Sequence, residues 1–247
     1  MRDLLTSINR RQLGTLTVAT LVGIPLAACA EKSDSDQKSS AASSETKADG
    51  ATSATSADNK ITPVDHPAGL QYGTWLREDS HVLDAGGKDA VLVEFLDFEC
   101  TSCSAALSTI DEIREKFKGK LTYVVRYFPL NIHPNAKPAA YAAEASARQG
   151  KLEPMIKTLY QKQDEWISKT EGIEETFKGF AEEIGIADIN RWVKDRDSED
   201  VKKRVDKDLN DARELGLTGT PSFYLNGDLM EPKSVEDFTQ QIEAKIK

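Results

Sequence analysis

The feature that most constrains the fold is a strand–helix–strand pattern in the middle of the chain. Val91–Phe95 is a nearly continuous apolar run rich in β-branched residues, as expected of a strand buried on both faces. After Cys100, apolar residues recur mostly at spacings of three and four until Gly119, which predicts a helix. Leu121–Phe128 is a second apolar run suited to a strand. Two strands joined through a helix pair in parallel with a right-handed crossover, so this segment predicts a βαβ unit.

Downstream of this unit, the sequence predicts a helical block, a strand hairpin and a final helix. The block is expected at about residues 134–216, and its first two helices are expected to begin at Pro138 and Pro154. Phe223–Leu225 suits a strand, and Asn226-Gly227 is a strong indication of a two-residue hairpin turn. We therefore expect an α/β fold with a central mixed β-sheet flanked by helices and a helical domain inserted in mid-chain.

Cys100 and Cys103 lie where the predicted central strand gives way to the helix. Residues three apart on the first turn of a helix lie on neighbouring surface, so their sulfur atoms can form a disulfide. The N–H groups and the dipole at a helix N-terminus stabilise an anion, and they lower the pKa of such a thiol from about 8.5 to roughly 3.5–7.5. The pattern therefore predicts a redox-active disulfide in which Cys100 is the nucleophile and Cys103 resolves the mixed disulfide.

Three other interpretations of the cysteine pair compete with this one. A zinc site needs two further ligands, but the third cysteine is at position 29, and His66, His81 and His133 lack the spacing of ligands. We therefore expect no metal and no other cofactor. A purely structural disulfide across so few residues would remove little loop entropy. Two inert buried thiols are not expected at a strand–helix junction in an oxidising compartment.

The N-terminus has the pattern of an export signal. Arg2, Arg10 and Arg11 form a positively charged start, and an interrupted apolar run from Leu13 to Ala28 follows. This run is shorter than the roughly 20 apolar residues that span a bilayer. We assign residues 1–28 to a signal peptide, and an uncleaved membrane anchor is the alternative. The sequence leaves open whether export uses the general or the twin-arginine route.

Leu26-Ala27-Ala28-Cys29, at the end of the apolar run, resembles the lipobox of bacterial lipoproteins. The resemblance implies cleavage before Cys29 and lipidation of its thiol, with acyl chains such as palmitate as the membrane anchor. Residues 29–65 are mostly Ser, Ala, Asp, Lys, Glu and Thr, which cannot bury enough surface to offset their ordering entropy. We expect a disordered tether there, and a protein anchored outside the cytoplasm to the bacterial cell membrane. A non-lipidated signal peptide is the alternative.

Several motifs follow one another along the rest of the chain: Phe95–Cys103, Tyr127–Leu130 with His133 and Ala136, Gly219–Phe223, and Asn226-Gly227. Together they resemble the DsbA-like branch of the thioredoxin superfamily, over roughly residues 70–247. The resemblance implies a DsbA-like thioredoxin-fold domain over residues 66–247, with the helical block as its insertion.

The resemblance also implies roles for three residues outside the cysteine pair. In that family the proline matching Pro221 is cis and faces the active-site sulfur atoms. The backbone of the preceding residue, here Thr220, is then free to pair with an extended substrate. Glu94 matches an acidic residue buried beneath the disulfide, which carries a proton to or from the resolving thiol. Burial disfavours a charged carboxylate and should raise the pKa of Glu94.

Two further residues, His133 in the loop after the second strand and Glu99 beside Cys100, have open roles. His133 either helps to polarise Cys100 or is a simple surface histidine. Glu99 would raise the pKa of the Cys100 thiol if its carboxylate pointed towards the sulfur atom.

The predicted function is an extracytoplasmic thiol–disulfide oxidoreductase that introduces disulfides into exported proteins. The implied partners are unfolded exported substrates and a membrane thiol oxidase linked to quinone, which restores the disulfide. We expect a monomer, and the net charge of −9 argues against nucleic acid as a partner. A reductase or isomerase of the same fold is one alternative. A non-catalytic lipoprotein that binds an envelope component is the other.

Overall fold

The computed structural model describes residues 66–246, which fold around one five-stranded sheet. Its strands are β1 (His81–Asp84), β2 (Ala90–Leu96), β3 (Leu121–Tyr127), β4 (Ser222–Leu225) and β5 (Asp228–Met230). The strand order is β1-β3-β2-β4-β5, with β2 and β3 parallel and the other neighbours antiparallel. The signal peptide, the lipidated Cys29 and the tether that the sequence predicts lie outside the described residues.

Helices cover the sheet. They are α1 (Thr101–Lys116), α2 (Ala136–Ala147), α3 (Leu152–Gln161), α4 (Ile173–Glu183), α5 (Ile189–Asp197), α6 (Glu199–Glu214) and α7 (Val235–Glu243), with a 3₁₀ turn at Gln163–Glu165. Helix α1 joins β2 to the parallel β3, as the βαβ pattern predicts, and α2 to α6 lie between β3 and β4. Within residues 66–246, no helix is long and apolar enough to cross a bilayer.

Strand β2 is the central strand, and all seven of its residues are buried. Its side chains alternate between two cores, because successive residues of a strand point to opposite faces of the sheet. Leu92 and Leu96 belong to the core that also contains the buried face of α1, whereas Val93 and Phe95 belong to the other. Glu94 shares the face of Leu92 and Leu96, so β2 introduces a carboxyl group into the core next to α1.

A buried ion-pair network joins β3 to α6. Arg126 of β3 is fully buried, and its guanidinium lies 2.5 Å from the carboxylates of both Asp208 and Asp211. The guanidinium of Arg204 lies 2.8 Å from Asp208, and that of Arg77 lies 2.7 Å from Asp211. Buried charges are tolerated when opposite charges and hydrogen bonds offset their desolvation. This network fastens the last helix of the insertion to the sheet immediately before the chain enters β4.

Candidate redox site

A sharp turn at the end of β2 delivers Cys100 to the start of α1. Cys100 is the N-cap of the helix, with extended backbone angles (φ −74°, ψ 118°). Its N–H donates to the carbonyl of Asp97, and its own carbonyl accepts the N–H of Ser104. Cys103 lies one turn further into the helix and is 1% exposed, against 9% for Cys100. The structure therefore brings the two predicted cysteines together, with Cys100 as the more accessible sulfur.

Both cysteines are thiols in this structure, and they differ sharply in acidity. A hydrogen bond from the Cys103 thiol is the largest cause that lowers the pKa of Cys100, which falls from 9.0 to about 5 against the opposing effect of burial. Thr220 and the backbone N–H groups of Cys103 and Ser102 lower it further. Burial is the largest cause that raises the pKa of Cys103, followed by the same hydrogen bond and the charge of Glu94. Cys100 is therefore the sulfur that ionises at neutral pH.

The segment before β4 brings Thr220 and Pro221 to the cysteine pair. The peptide bond between them is cis, as the sequence resemblance predicts. The Sγ of Cys100 donates to the carbonyl of Thr220 at 3.3 Å. The hydroxyl oxygen of Thr220 is buried without a partner among the described residues, and it can donate to the sulfur once Cys100 is ionised. The location of Thr220 matches the expectation, while substrate binding there stays a prediction.

Glu94 lies in the core, near enough to Cys103 for its charge to raise the pKa of that thiol. Its carboxyl is buried, and the hydroxyl of Tyr123 donates a hydrogen bond to its Oε2. The pKa of Glu94 is raised to about 7, and burial is the largest cause. The Tyr123 hydrogen bond and the charge of Arg114 lower this pKa, whereas a charge on Cys100 raises it further. At neutral pH both the acid and the carboxylate are therefore populated, so this group can donate or accept a proton.

Asp97 organises the turn that precedes Cys100, a role that the sequence analysis missed. Its buried carboxylate accepts the backbone N–H groups of Glu99 and Leu130, each at 2.8 Å, and lies 2.7 Å from Nδ1 of His133. Of the two roles left open for His133, polarising Cys100 finds no support, because the ring of His133 is engaged with Asp97 instead. Within residues 66–246, no group of three or more His, Cys, Asp or Glu side chains is arranged to hold a metal ion.

Glu99 and Gln163 also support the turn. The carboxylate of Glu99 accepts the backbone N–H of Asn135 at 2.7 Å and points to the start of α2. The condition under which Glu99 would raise the pKa of Cys100 is therefore not met. The side-chain amide of Gln163 donates to the carbonyls of Phe98 at 2.8 Å and Cys100 at 3.2 Å. Nothing in the local sequence around Gln163 indicates this contact, because the two segments meet only through the tertiary fold.

An acidic thiol at the N-cap of the helix after a central strand, with a buried second thiol one turn away, defines the class of thiol–disulfide oxidoreductases. The family model described as Thioredoxin matches residues 80–244. The chain therefore belongs to the thioredoxin family. Its helices between β3 and β4 agree with the DsbA-like resemblance found in the sequence.

Two groups of curated proteins are similar to the chain. A protein from Bacillus cereus named "Probable disulfide bond formation protein D" is 33% identical over 158 residues, which are 59% of this chain and 71% of that protein. A protein from Herminiimonas arsenicoxydans named "Na(+)/H(+) antiporter NhaA" is 36% identical over 150 residues, which are 61% of this chain but 23% of that protein. The chain spans less than a quarter of the antiporter's length. The antiporter's name therefore assigns no transport activity to this chain.

Solved structures confirm the fold class. A thioredoxin-like oxidoreductase from Silicibacter pomeroyi DSS-3 has a TM-score of 0.55 and 25% identity, covering 67% of this chain and 91% of that one. Oxidised BdbD from Bacillus subtilis has a TM-score of 0.59 and 20% identity, covering 67% of this chain and 92% of that one. The second likeness shows the fold alone. The predicted mixed sheet flanked by helices, with an inserted helical domain, is thus the architecture of these proteins.

Proposed function

We propose that this thiol–disulfide oxidoreductase is an extracytoplasmic oxidase that introduces disulfides into unfolded exported proteins. The observation that carries the proposal is the position of Cys100 at the N-cap of α1 next to the buried Cys103. These surroundings lower the pKa of Cys100 to about 5 and raise that of Cys103. A stabilised thiolate is a good leaving group, and its stabilisation favours the reduced form of the pair. The disulfide form of such a pair therefore takes electrons readily from ordinary protein thiols.

The oxidation of a substrate takes two exchange steps. A substrate thiolate attacks Sγ of Cys100, the Cys100–Cys103 bond breaks, and the electron pair leaves on Cys103. Glu94 in its acid form gives its proton to that sulfur. A second substrate thiolate then attacks the substrate sulfur of the mixed disulfide and expels Cys100 as a thiolate. The substrate loses two electrons and gains a disulfide, and the enzyme is left with its pair reduced.

Substrate binding is proposed at Thr220 and Pro221. The carbonyl of Thr220 lies 3.3 Å from Sγ of Cys100. An extended substrate segment that pairs with the backbone of Thr220 would therefore present its own cysteine to Cys100. A membrane thiol oxidase linked to quinone is the proposed partner that returns the pair to the disulfide, and in that direction Glu94 accepts the proton of Cys103.

The direction of the reaction is tested with two assays on the purified oxidised and reduced protein. We expect the oxidised form to restore activity to reduced ribonuclease A, and the reduced form to reduce insulin only weakly. Cys100→Ser should lose both activities. Strong insulin reduction without ribonuclease reoxidation would favour the reductase or isomerase alternative. Neither activity in the unsubstituted protein would favour a non-catalytic envelope-binding lipoprotein.

Membrane attachment is proposed to depend on Cys29, as the first residue of a tether over residues 29–65 that follows a signal peptide over residues 1–28. Cys29→Ser should release the protein from the membrane fraction without lowering its thiol activity, because the lipid and the redox pair are separate. Ser35→Ala, in the same segment, serves as the matched control and should stay with the membranes. Continued tight association of Cys29→Ser would argue for an uncleaved apolar anchor.

A further inference from the structure

Tyr123 is a buried tyrosine whose hydroxyl donates a hydrogen bond to Oε2 of Glu94. It lies on β3, where it pairs with Leu92 of β2, and Glu94 pairs with Val125 two residues further along the same parallel ladder. Because side chains two residues apart on a strand share a face, Tyr123 and Glu94 point into the same core. The contact therefore follows from the register of the two central strands.

Arg114 of α1 lies over the ring of Tyr123, with its Cζ 5.0 Å from the ring centroid. Three carboxylates hold its guanidinium there: Asp84 at 2.5 Å, Glu153 at 2.9 Å and Asp111 at 3.2 Å. The side chain of Arg114 is only 12% exposed, so water screens its charge weakly. A fixed cation, a phenol and the Glu94 carboxyl thus form one continuous series of contacts.

The titratable groups that act on Glu94 are Cys100 at the N-cap of α1, Cys103 and Arg114 from α1, Tyr123 from β3 and Tyr160 from α3. Within the described residues, Tyr123 is the side chain that donates a hydrogen bond to the Glu94 carboxyl. Burial and the charge of Glu94 hold the pKa of Tyr123 well above its ordinary value. Tyr123 therefore keeps its proton and serves as a donor. Burial also holds the pKa of Tyr160 well above its ordinary value, so the groups left to exchange a proton with Glu94 are the thiols.

We propose that Tyr123 is a positioning residue that holds the Glu94 carboxylate beside Cys103 and keeps it ionised for the recharging step. This inference rests on the proposed role of Glu94 as a proton carrier. When the pair is reoxidised, the proton of the Cys103 thiol passes to the Glu94 carboxylate. The resulting Cys103 thiolate attacks Sγ of Cys100 and expels the partner's sulfur as a thiolate. A buried carboxylate without a donor would already hold a proton at neutral pH and could not take this one.

The test isolates this resolving step in a protein that carries Cys29→Ser, so that two thiols remain. Ellman's reagent couples thionitrobenzoate to Cys100, and attack by Cys103 releases the coloured thiolate, whose rate is followed by stopped flow across neutral pH. Tyr123→Phe should move the midpoint of the rate profile upward by about one to two pH units, the size expected for one hydrogen bond to a charged group. Because the Glu94 midpoint starts near pH 7, the release at neutral pH should slow about five- to fiftyfold.

Two further variants make the result specific. Tyr224→Phe removes the hydroxyl of a buried tyrosine in the same sheet that packs on Phe95 in the other core, and it should leave the midpoint unchanged. Glu94→Gln should abolish the pH dependence of the thionitrobenzoate release rate around neutral pH. If Glu94→Gln leaves the profile intact, the proton-carrier role fails and the inference fails with it. If Glu94→Gln abolishes the profile but Tyr123→Phe does not move its midpoint, the inference alone fails.

A direct titration keeps the proposal testable whatever the exchange rates are. The carboxyl carbon of Glu94, followed by NMR in the reduced protein, should titrate at a higher pH in Tyr123→Phe than in the unsubstituted protein. Arg114→Met, which removes the charge but leaves the phenol in place, should shift it in the same direction, because the charge of Arg114 lowers the pKa of Glu94. An unchanged Glu94 titration in Tyr123→Phe would overturn the proposal.

Discussion

Cys103→Ala is expected to accumulate mixed disulfides through Cys100, whereas Cys100→Ala is expected to accumulate few. Cys100 is the more exposed and the more acidic of the two sulfur atoms, so substrates become joined to it. Without Cys103 no neighbouring thiol can release the substrate, so the mixed disulfide, which is normally transient, accumulates. The complexes are measured by acid quenching of whole cells, followed by non-reducing electrophoresis and detection of the protein.

The matched control for this experiment is Ser104→Ala. Ser104 lies next to Cys103 on α1 and donates to the carbonyl of Tyr160 at 3.4 Å, so the change tests disturbance of the helix without touching either sulfur. It should trap no substrates above background. Equal trapping by Cys103→Ala and Cys100→Ala would contradict the assignment of Cys100 as the attacking and attacked sulfur.

Alkylation of the reduced protein by iodoacetamide is expected to show a Cys100 midpoint near pH 5, the value to which its pKa falls. One unit above that midpoint Cys100 is mostly thiolate, whereas a thiol with the ordinary pKa of 9.0 is ionised to about one part in a thousand. Mass spectrometry should therefore find label on Cys100 and almost none on the buried Cys103. Label divided evenly between the two would refute the proposed difference in acidity.

Thr220→Val offers a finer version of the same measurement. It removes a hydroxyl that lowers the pKa of Cys100, so the alkylation midpoint should rise. Thr218→Val is the matched control, because Thr218 is exposed in the same loop. Its midpoint should equal that of the unsubstituted protein.

The same lowered pKa couples the redox state to stability. Between about pH 5 in the folded protein and 9.0 in the unfolded chain, the unfolded state binds more protons at Cys100. The free energy of unfolding of the reduced form should therefore gain from Cys100 as pH rises through this window, and lose that gain as pH falls towards 5. Cys100 does not titrate in the disulfide form, while Glu94 titrates in both. In urea unfolding, the free energy of unfolding of the reduced form should therefore rise relative to that of the disulfide form as pH increases.

Much of the fold could be predicted because its elements are periodic and local. The apolar runs of β2 and β3, the helix between them and the Asn226-Gly227 turn needed no tertiary information. Helices α2 and α3, however, begin at Ala136 and Leu152, two residues before the prolines expected to start them. Pro138 and Pro154 instead lie within the first turn, where the missing N–H has no intrahelical acceptor to lose.

The parts that were missed depend on contacts between distant residues. Strand β1 has four residues and a shift in its register with β3, too little for a recognisable alternation. Asp97, Tyr123 and Gln163 act through partners that lie 29 to 65 residues away, apart from the local bond between Asp97 and Glu99. The cysteine pair could be found from its spacing and its place between elements, whereas Glu94 and Pro221 needed the family resemblance as well.

The charge that β3 carries into the interior has a consequence for attempts to shorten the protein. A trimmed version that links β3 directly to β4 would retain Arg126 but discard both of its carboxylate partners, which belong to α6. Leaving a buried charge uncompensated costs about 3–5 kcal/mol, a large part of the stability of an ordinary domain. Helix α6 therefore cannot be removed without this cost, and a stable shortened form of the enzyme has to keep it.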